Sequence, residues 1–169
     1  MRSGCMDLND IPLTTIDGRT TSLAEYDGRA KLIVNVASRC GLSPQYEKLE
    51  ALQREYGASG FTVLGFPSNQ FLQELHSEAA IAEYCSSTWG VTFPMFARVR
   101  VNGKFRHPLY AELTKTPDAE GKAGKVQWNF EKFLVSATGE VTRFRPSTEP
   151  DDPEVMRHIE AAIGSNSVR

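Results

Sequence analysis

A single cysteine, Cys40, stands between an apolar run and a helical pattern in NVASRCGLSPQYEKLE (residues 35–50), with Ser43 where a dithiol protein carries its second cysteine. A thiol without that partner must form any disulfide with a distant cysteine, a partner's thiol or a small thiol. Such chemistry is that of a one-thiol nucleophile rather than a dithiol reductant. Position alone leaves an inert, half-buried thiol as an equal alternative. Cys5 and Cys85 lie far from Cys40 in the chain, so the three describe neither a disulfide scaffold nor a ribbon-type zinc site. His76, His107 and His158 show no ligand spacing, and neither metal nor cofactor is expected.

The elements around Cys40 give the thiol a setting. Lys31–Ala37 reads as a short buried strand, and Ser43-Pro44 as an N-cap followed by proline at the first helical position. Tyr46, Leu49, Leu52 and Tyr56 recur at helical spacing from about Pro44 to Tyr56. Cys40 is therefore expected in a strand-to-helix turn facing the positive end of a helix dipole, where thiolates are stabilised.

Upstream, Asp17-Gly18 between Leu13–Ile16 and Thr20–Leu23 predicts a hairpin. Downstream, Gly57–Gly60 leads into a second apolar strand, Phe61–Phe66, giving a βαβ unit with parallel strands. A helix starts at Ser77-Glu78 and carries Ile81, Tyr84 and Cys85, whose four-residue spacing from Ile81 also suits an ordinary core cysteine. Phe96–Val101 alternates like a half-exposed strand ending in an Asn102-Gly103 turn. A short helix from His107-Pro108, a polar loop over 114–125, strands Phe130–Ser136 and Val141–Arg145, and a last helix after Asp152-Pro153 complete the chain. The expectation is an α/β protein of thioredoxin-like fold: a central mixed sheet flanked by helices, with an N-terminal β-hairpin. It is expected as one domain over residues 1–169, frayed at 1–8 and 164–169.

A net charge of −2 argues against a nucleic-acid surface or a polybasic membrane patch, and no apolar run approaches the roughly 20 residues that span a bilayer. The opening MRSGCMDLNDIPL lacks the apolar core of a signal peptide, so a cytoplasmic location is expected.

Three blocks, NVASRCGLSPQY, GFPSNQF and WNFEKFL, resemble the signatures of the glutathione peroxidase family, and the likeness extends along nearly the whole chain. The resemblance implies a peroxidatic cysteine at Cys40, which attacks the peroxide O–O bond and becomes a sulfenic acid. It implies hydrogen-bond donors at Gln73, Trp128 and Asn129 for the sulfur anion and the departing oxygen. Gln70 also falls in the motif, although not at the catalytic glutamine's position. The stretch Phe71–His76 is one residue shorter than the family pattern and lacks its Pro-Gly, and Ser68 stands where a cysteine is common. Cys85 matches the resolving cysteine of non-selenium members, on a helix that must unwind to deliver it and is therefore expected to have low local stability. Cys5 has no catalytic role.

The short loop between Leu113 and Trp128, together with Cys85, implies a monomer or weak dimer recycled by thioredoxin, with glutathione as the other candidate reductant. Arg39 is the basic neighbour of Cys40, and Phe93-Pro94 is expected to carry a cis peptide bond. The implied function is reduction of hydrogen peroxide and organic or lipid hydroperoxides. The alternatives are a peroxide sensor or relay that oxidises a partner, a glutathione-dependent one-cysteine peroxidase, and a binding module that has lost activity.

Overall fold

The computed structural model describes residues 7–163. Its centre is a four-stranded sheet of order β4-β3-β5-β6, built from β3 (Ala30–Val36), β4 (Phe61–Pro67), β5 (Lys132–Val135) and β6 (Val141–Phe144). β3 and β4 are parallel, with Val34 opposite Gly65, and β5 and β6 add on antiparallel, with Leu32 opposite Leu134. The sheet is mixed because α1 (Gln45–Tyr56) carries the chain across between β3 and β4, whereas β5 and β6 are joined by a tight turn at Gly139.

The strands distribute their side chains with period two between a core on each face. Leu32, Val34 and Leu134 join one apolar cluster with Tyr46, Leu49 and Leu52 of α1 and Val155, Ile159 and Ile163 of α4 (Pro153–Ile163). Ile33, Phe133 and Val135 point the other way, onto Leu109, Tyr110 and Leu113 of α3 (Pro108–Leu113). Helices therefore cover both faces, and the hairpin of β1 (Leu13–Thr14) and β2 (Thr20–Thr21) lies apart from the sheet. Among the described residues no helix is long and apolar enough to cross a membrane.

Four local expectations are corrected. Ser43 is not the cap of α1: its hydroxyl donates to the carbonyl of Ala37 at 2.8 Å, and Pro44 is the capping residue. Phe96–Val101 is no strand: Arg98 and Arg100 are exposed and Val101 is buried as alternation requires, but Phe96, on the same parity as the two arginines, is buried as well. Its N–H groups are shared between two neighbours, Ala97 donating to Thr14 and Val99 to Pro67, so only isolated bridges form. The bridge beside Gly65 is so close that a Cβ there would lie 2.6 Å from the Met95 sulfur. The chain enters this bridge through a trans Phe93-Pro94 bond, since no cis peptide occurs among the described residues. Finally, residues 7 and 8 are not frayed: Asp7 accepts the N–H of Asn9 at 2.9 Å and caps a short turn over Leu8–Asp10. Residues 1–6, with Cys5, and 164–169 lie outside the described residues.

Candidate active site

β3 ends at Val36, and the next four residues turn towards α1. Cys40 is 6% exposed, and its sulfur accepts the N–H of Leu42 at 3.3 Å. Its carbonyl accepts the N–H of Ser43 at 2.9 Å, and Gln45 and Tyr46 continue the same succession of turns into the helix. The sulfur thus takes one main-chain N–H of the turn that leads into the first turn of α1.

The shortened loop after β4 folds back onto this turn. Arg39 donates its N–H to the carbonyl of Gln73 at 2.8 Å, while one oxygen of Glu74 accepts the N–H groups of Ser38 at 3.0 Å and Leu75 at 2.8 Å. Asn69 closes the loop from within by accepting the N–H of Glu74 at 3.1 Å. Glu74 is buried, and burial raises its pKa against the pull of these donors. The main chain of Gln73 is therefore hydrogen-bonded to the residue before Cys40 despite the shorter loop. Its side-chain oxygen accepts from the amide of Asn129 at 3.2 Å.

Asn129 and Trp128 belong to a turn that Asn35 holds from the buried strand β3. Asn35 donates its side-chain amide to the Trp128 carbonyl at 3.1 Å, accepts the N–H of Glu131 at 3.1 Å, and takes the Phe130 N–H on its own carbonyl at 2.6 Å. Phe130 adopts a left-handed backbone (φ +68°), which starts the strand later than its apolar pattern suggests. Asn129 is fully buried, whereas Trp128 is 38% exposed with its ring tilted on Phe71, centroids 4.9 Å apart.

Lys132 adds a second hold on the same turn. Its ammonium, buried in β5, donates to the carbonyls of Phe130 at 2.6 Å and Pro146 at 3.1 Å. Burial brings its pKa down to about 7 against the opposing charges of Glu149 and Glu131. The unfolded chain therefore binds the extra proton between about pH 7 and the ordinary lysine range, and stability rises with pH across that window. One such proton gives a slope of at most about 1.4 kcal/mol per pH unit. Urea unfolding between about pH 7 and 9 is expected to show that rise, and Lys132→Met to flatten it. An equal slope in the variant would mean that other groups carry it.

Cys85 lies elsewhere. It is 2% exposed, unbridged like Cys40, and begins a five-residue π-helical turn (Cys85–Trp89) that continues α2 (Glu78–Tyr84). The two cysteines belong to one apolar cluster. Burial pushes the Cys85 thiol up to about 11, the Tyr46 hydroxyl pulling against this and the charge of Glu74 adding to it. That hydroxyl lies beside the thiol without completing a hydrogen bond. α2 itself buries only Ile81, and the π turn that follows is held by Cys85 in the core and by Tyr84 and Trp89, whose rings pack on Tyr46. The Trp89 indole N–H donates to the Tyr84 hydroxyl at 3.0 Å.

Gln73 and Asn129 are thus brought into contact and tied to the Cys40 turn, Trp128 is partly exposed, and Cys85 is buried where α2 runs into the π turn. Asn35, Glu74 and Lys132, which hold these parts together, were missed by pattern reading. Asn35 and Lys132 left a trace as polar residues inside apolar strands; Glu74 left none.

A family model described as glutathione peroxidase matches residues 8–114. The thioredoxin/glutathione peroxidase BtuE of Escherichia coli (strain K12) is 46% identical, with 92% of this chain and 99% of that protein covered. The hydroperoxy fatty acid reductase gpx1 of Synechocystis sp. is 44% identical, with 88% and 90% covered. The crystal structure of Trgpx in apo form superposes with a TM-score of 0.74 at 35% identity, over 95% of this chain and 98% of that one. A thioredoxin-family thiol:disulfide interchange protein from Chlorobium tepidum TLS, 18% identical with a TM-score of 0.65 over 97% and 100% of the two chains, shares the fold alone. With a family model over more than half of its length and relatives of this identity over nearly all of it, the chain belongs to the glutathione peroxidase family and is a thiol peroxidase of thioredoxin-like fold.

Proposed function

We propose that Cys40 is the peroxidatic residue, that Gln73, Trp128 and Asn129 serve the oxygen it attacks, and that Cys85 resolves the product for reduction by thioredoxin. The observation that carries this reading is the double tie of Gln73, by its main chain to Arg39 and by its side chain to Asn129. Asn129 occupies the Gln73 oxygen and leaves the Gln73 amide N–H groups to donate to an incoming peroxide.

The thiolate attacks one peroxide oxygen, the O–O bond breaks, and the departing alkoxide or hydroxide takes a proton to leave as alcohol or water. Cys40 becomes a sulfenic acid. Cys85, released as α2 opens, forms the S–S bond and expels the sulfenic oxygen as water. A dithiol reductant then returns both cysteines to thiols. The name of the relative BtuE, a thioredoxin/glutathione peroxidase, supports both reductants. A second cysteine that turns the sulfenic acid into a disulfide favours thioredoxin, a dithiol.

One equivalent of hydrogen peroxide added to reduced protein tests this directly. The three thiols are expected to fall to one, with peptide mapping joining Cys40 to Cys85. Oxygen added to Cys40 alone, or a mixed disulfide with glutathione, would make Cys85 a core residue and the enzyme a one-cysteine peroxidase. Three surviving thiols would remove Cys40 from the chemistry.

A further inference from the structure

The large apolar side chains exposed among the described residues are Leu72 (85%), Phe105 (75%) and Trp128 (38%), and they stand on three loops joined by hydrogen bonds. The segment at Met95 runs parallel to β4, and Val99 donates to the carbonyl of Pro67, so the following turn emerges beyond the end of β4 where the Gln73 loop begins. Gln70 fixes the two together: its amide oxygen accepts the N–H groups of Val101 and Asn102, and its nitrogen donates to the Asn102 carbonyl at 2.9 Å. Asn102 in turn exchanges two hydrogen bonds with the main chain of Val126, each of 2.7 Å, two residues before Trp128. Two side-chain amides thus bind three loops into one rim around the Cys40 end of the sheet.

The rim is also cationic. From Tyr84 to Ala111 the chain has no carboxylate side chain, and Arg98, Arg100, Lys104 and Arg106 fall in that stretch. Glu78 takes up Arg98 at 2.9 Å, but no carboxylate among the described residues pairs with Arg100, Lys104 or Arg106. Phe105 stands between Lys104 and Arg106 in sequence, with the Lys104 ammonium 5.7 Å from its ring centre. Leu72 is held outward in a left-handed backbone (φ +59°), which a leucine does not adopt by local preference. The net charge of −2 averages this asymmetry away, and the remaining surface is correspondingly more acidic.

Apolar tips flanked by unpaired cations match a soft anionic surface: rings and leucines enter the headgroup layer while the cations stay among the acidic headgroups. We propose that this rim docks the protein transiently on an anionic phospholipid surface through Phe105, Leu72, Arg100, Lys104 and Arg106. The rim stands at the Cys40 end of the sheet, so docking turns that end to the lipid.

Co-sedimentation with phosphatidylcholine vesicles, with and without phosphatidylserine, tests the proposal without peroxide, so its outcome is independent of the peroxidase chemistry. The reduced protein is expected to sediment with the phosphatidylserine vesicles alone, less so at high salt. Arg106→Ala is expected to weaken this about fivefold and Phe105→Ser about tenfold, both with wild-type unfolding curves and hydrogen peroxide rates. Equal or absent binding to the two vesicle types overturns the proposal, as does full binding by both variants. Absent vesicle binding with a slower thioredoxin-coupled rate in Arg106→Ala would assign the rim to an acidic protein partner instead.

Discussion

Cys85→Ser leaves the first reaction with peroxide intact and stops thioredoxin-driven turnover, whereas Cys40→Ser abolishes both, by on the order of 10⁴-fold or more. The asymmetry follows from where the sulfurs lie. Cys40 receives a main-chain N–H in the turn before α1, but Cys85 is buried with its thiol pushed up to about 11. At neutral pH the buried Cys85 is almost entirely protonated. Release to solvent would raise its thiolate fraction by about two to three orders of magnitude. Resolution is therefore expected to be limited by opening of α2. Mild urea below the unfolding transition should speed disulfide formation while leaving the initial oxidation of Cys40 unchanged. The sign with pH agrees: a thiol raised in the folded state gives up its stabilising contribution as pH rises from the ordinary thiol range to about 11, so alkaline conditions favour the open helix. Stopped-flow oxidation followed by quenched thiol counting separates the two steps. An unchanged resolution rate in urea would mean that Cys85 reacts from its buried position.

Arg143→Met is expected to destabilise the protein by about 3–5 kcal/mol, the largest effect of any single change at a polar position. The Arg143 guanidinium is fully buried over the ring of Phe133, 4.9 Å from its centre. It pairs with Glu131 and donates to the carbonyls of Thr116 at 3.0 Å, Gly124 at 2.8 Å and Lys125 at 2.9 Å. Its loss strips Glu131 of its closest counter-charge, with Arg145 at 2.8 Å left as a half-measure, and frees the carbonyls of the 114–125 loop. Glu131 also accepts the N–H of Gln127 at 2.8 Å, so the Trp128–Asn129 turn loosens with it and peroxide turnover falls. The double variant Arg143→Met/Glu131→Leu is expected to recover part of the stability by removing the orphaned charge. Urea unfolding of the two variants measures both effects, and a double variant no better than the single one would show the carbonyl contacts to be the larger part.

Much of the molecule was legible in its local patterns. The βαβ unit around Cys40, the later strand pair and the last helix were placed to within a few residues, because strand and helix periods are written in consecutive apolar positions. The blocks around Cys40, Gln73 and Trp128-Asn129 carried the family likewise. Misreadings came where a short segment answers to several neighbours. Ser43 looked like a cap but found the Ala37 carbonyl, and Phe96–Val101 alternated like a strand but divided its N–H groups between the segments at Thr14 and Pro67.

The sequence by itself determined the fold class, the position of the lone thiol and the family. Tertiary structure alone decided that Asn35 holds the Trp128 turn, that Glu74 ties a shortened loop to Ser38, and that Arg143 anchors the polar loop over 114–125. It also decided that Leu72, Phe105 and Trp128 stand on three loops joined by hydrogen bonds. The physical reason is that hydrogen-bond and charge partners are satisfied in space, by residues tens of positions apart. Any polar residue of suitable reach can supply them, so they impose no local period on the chain.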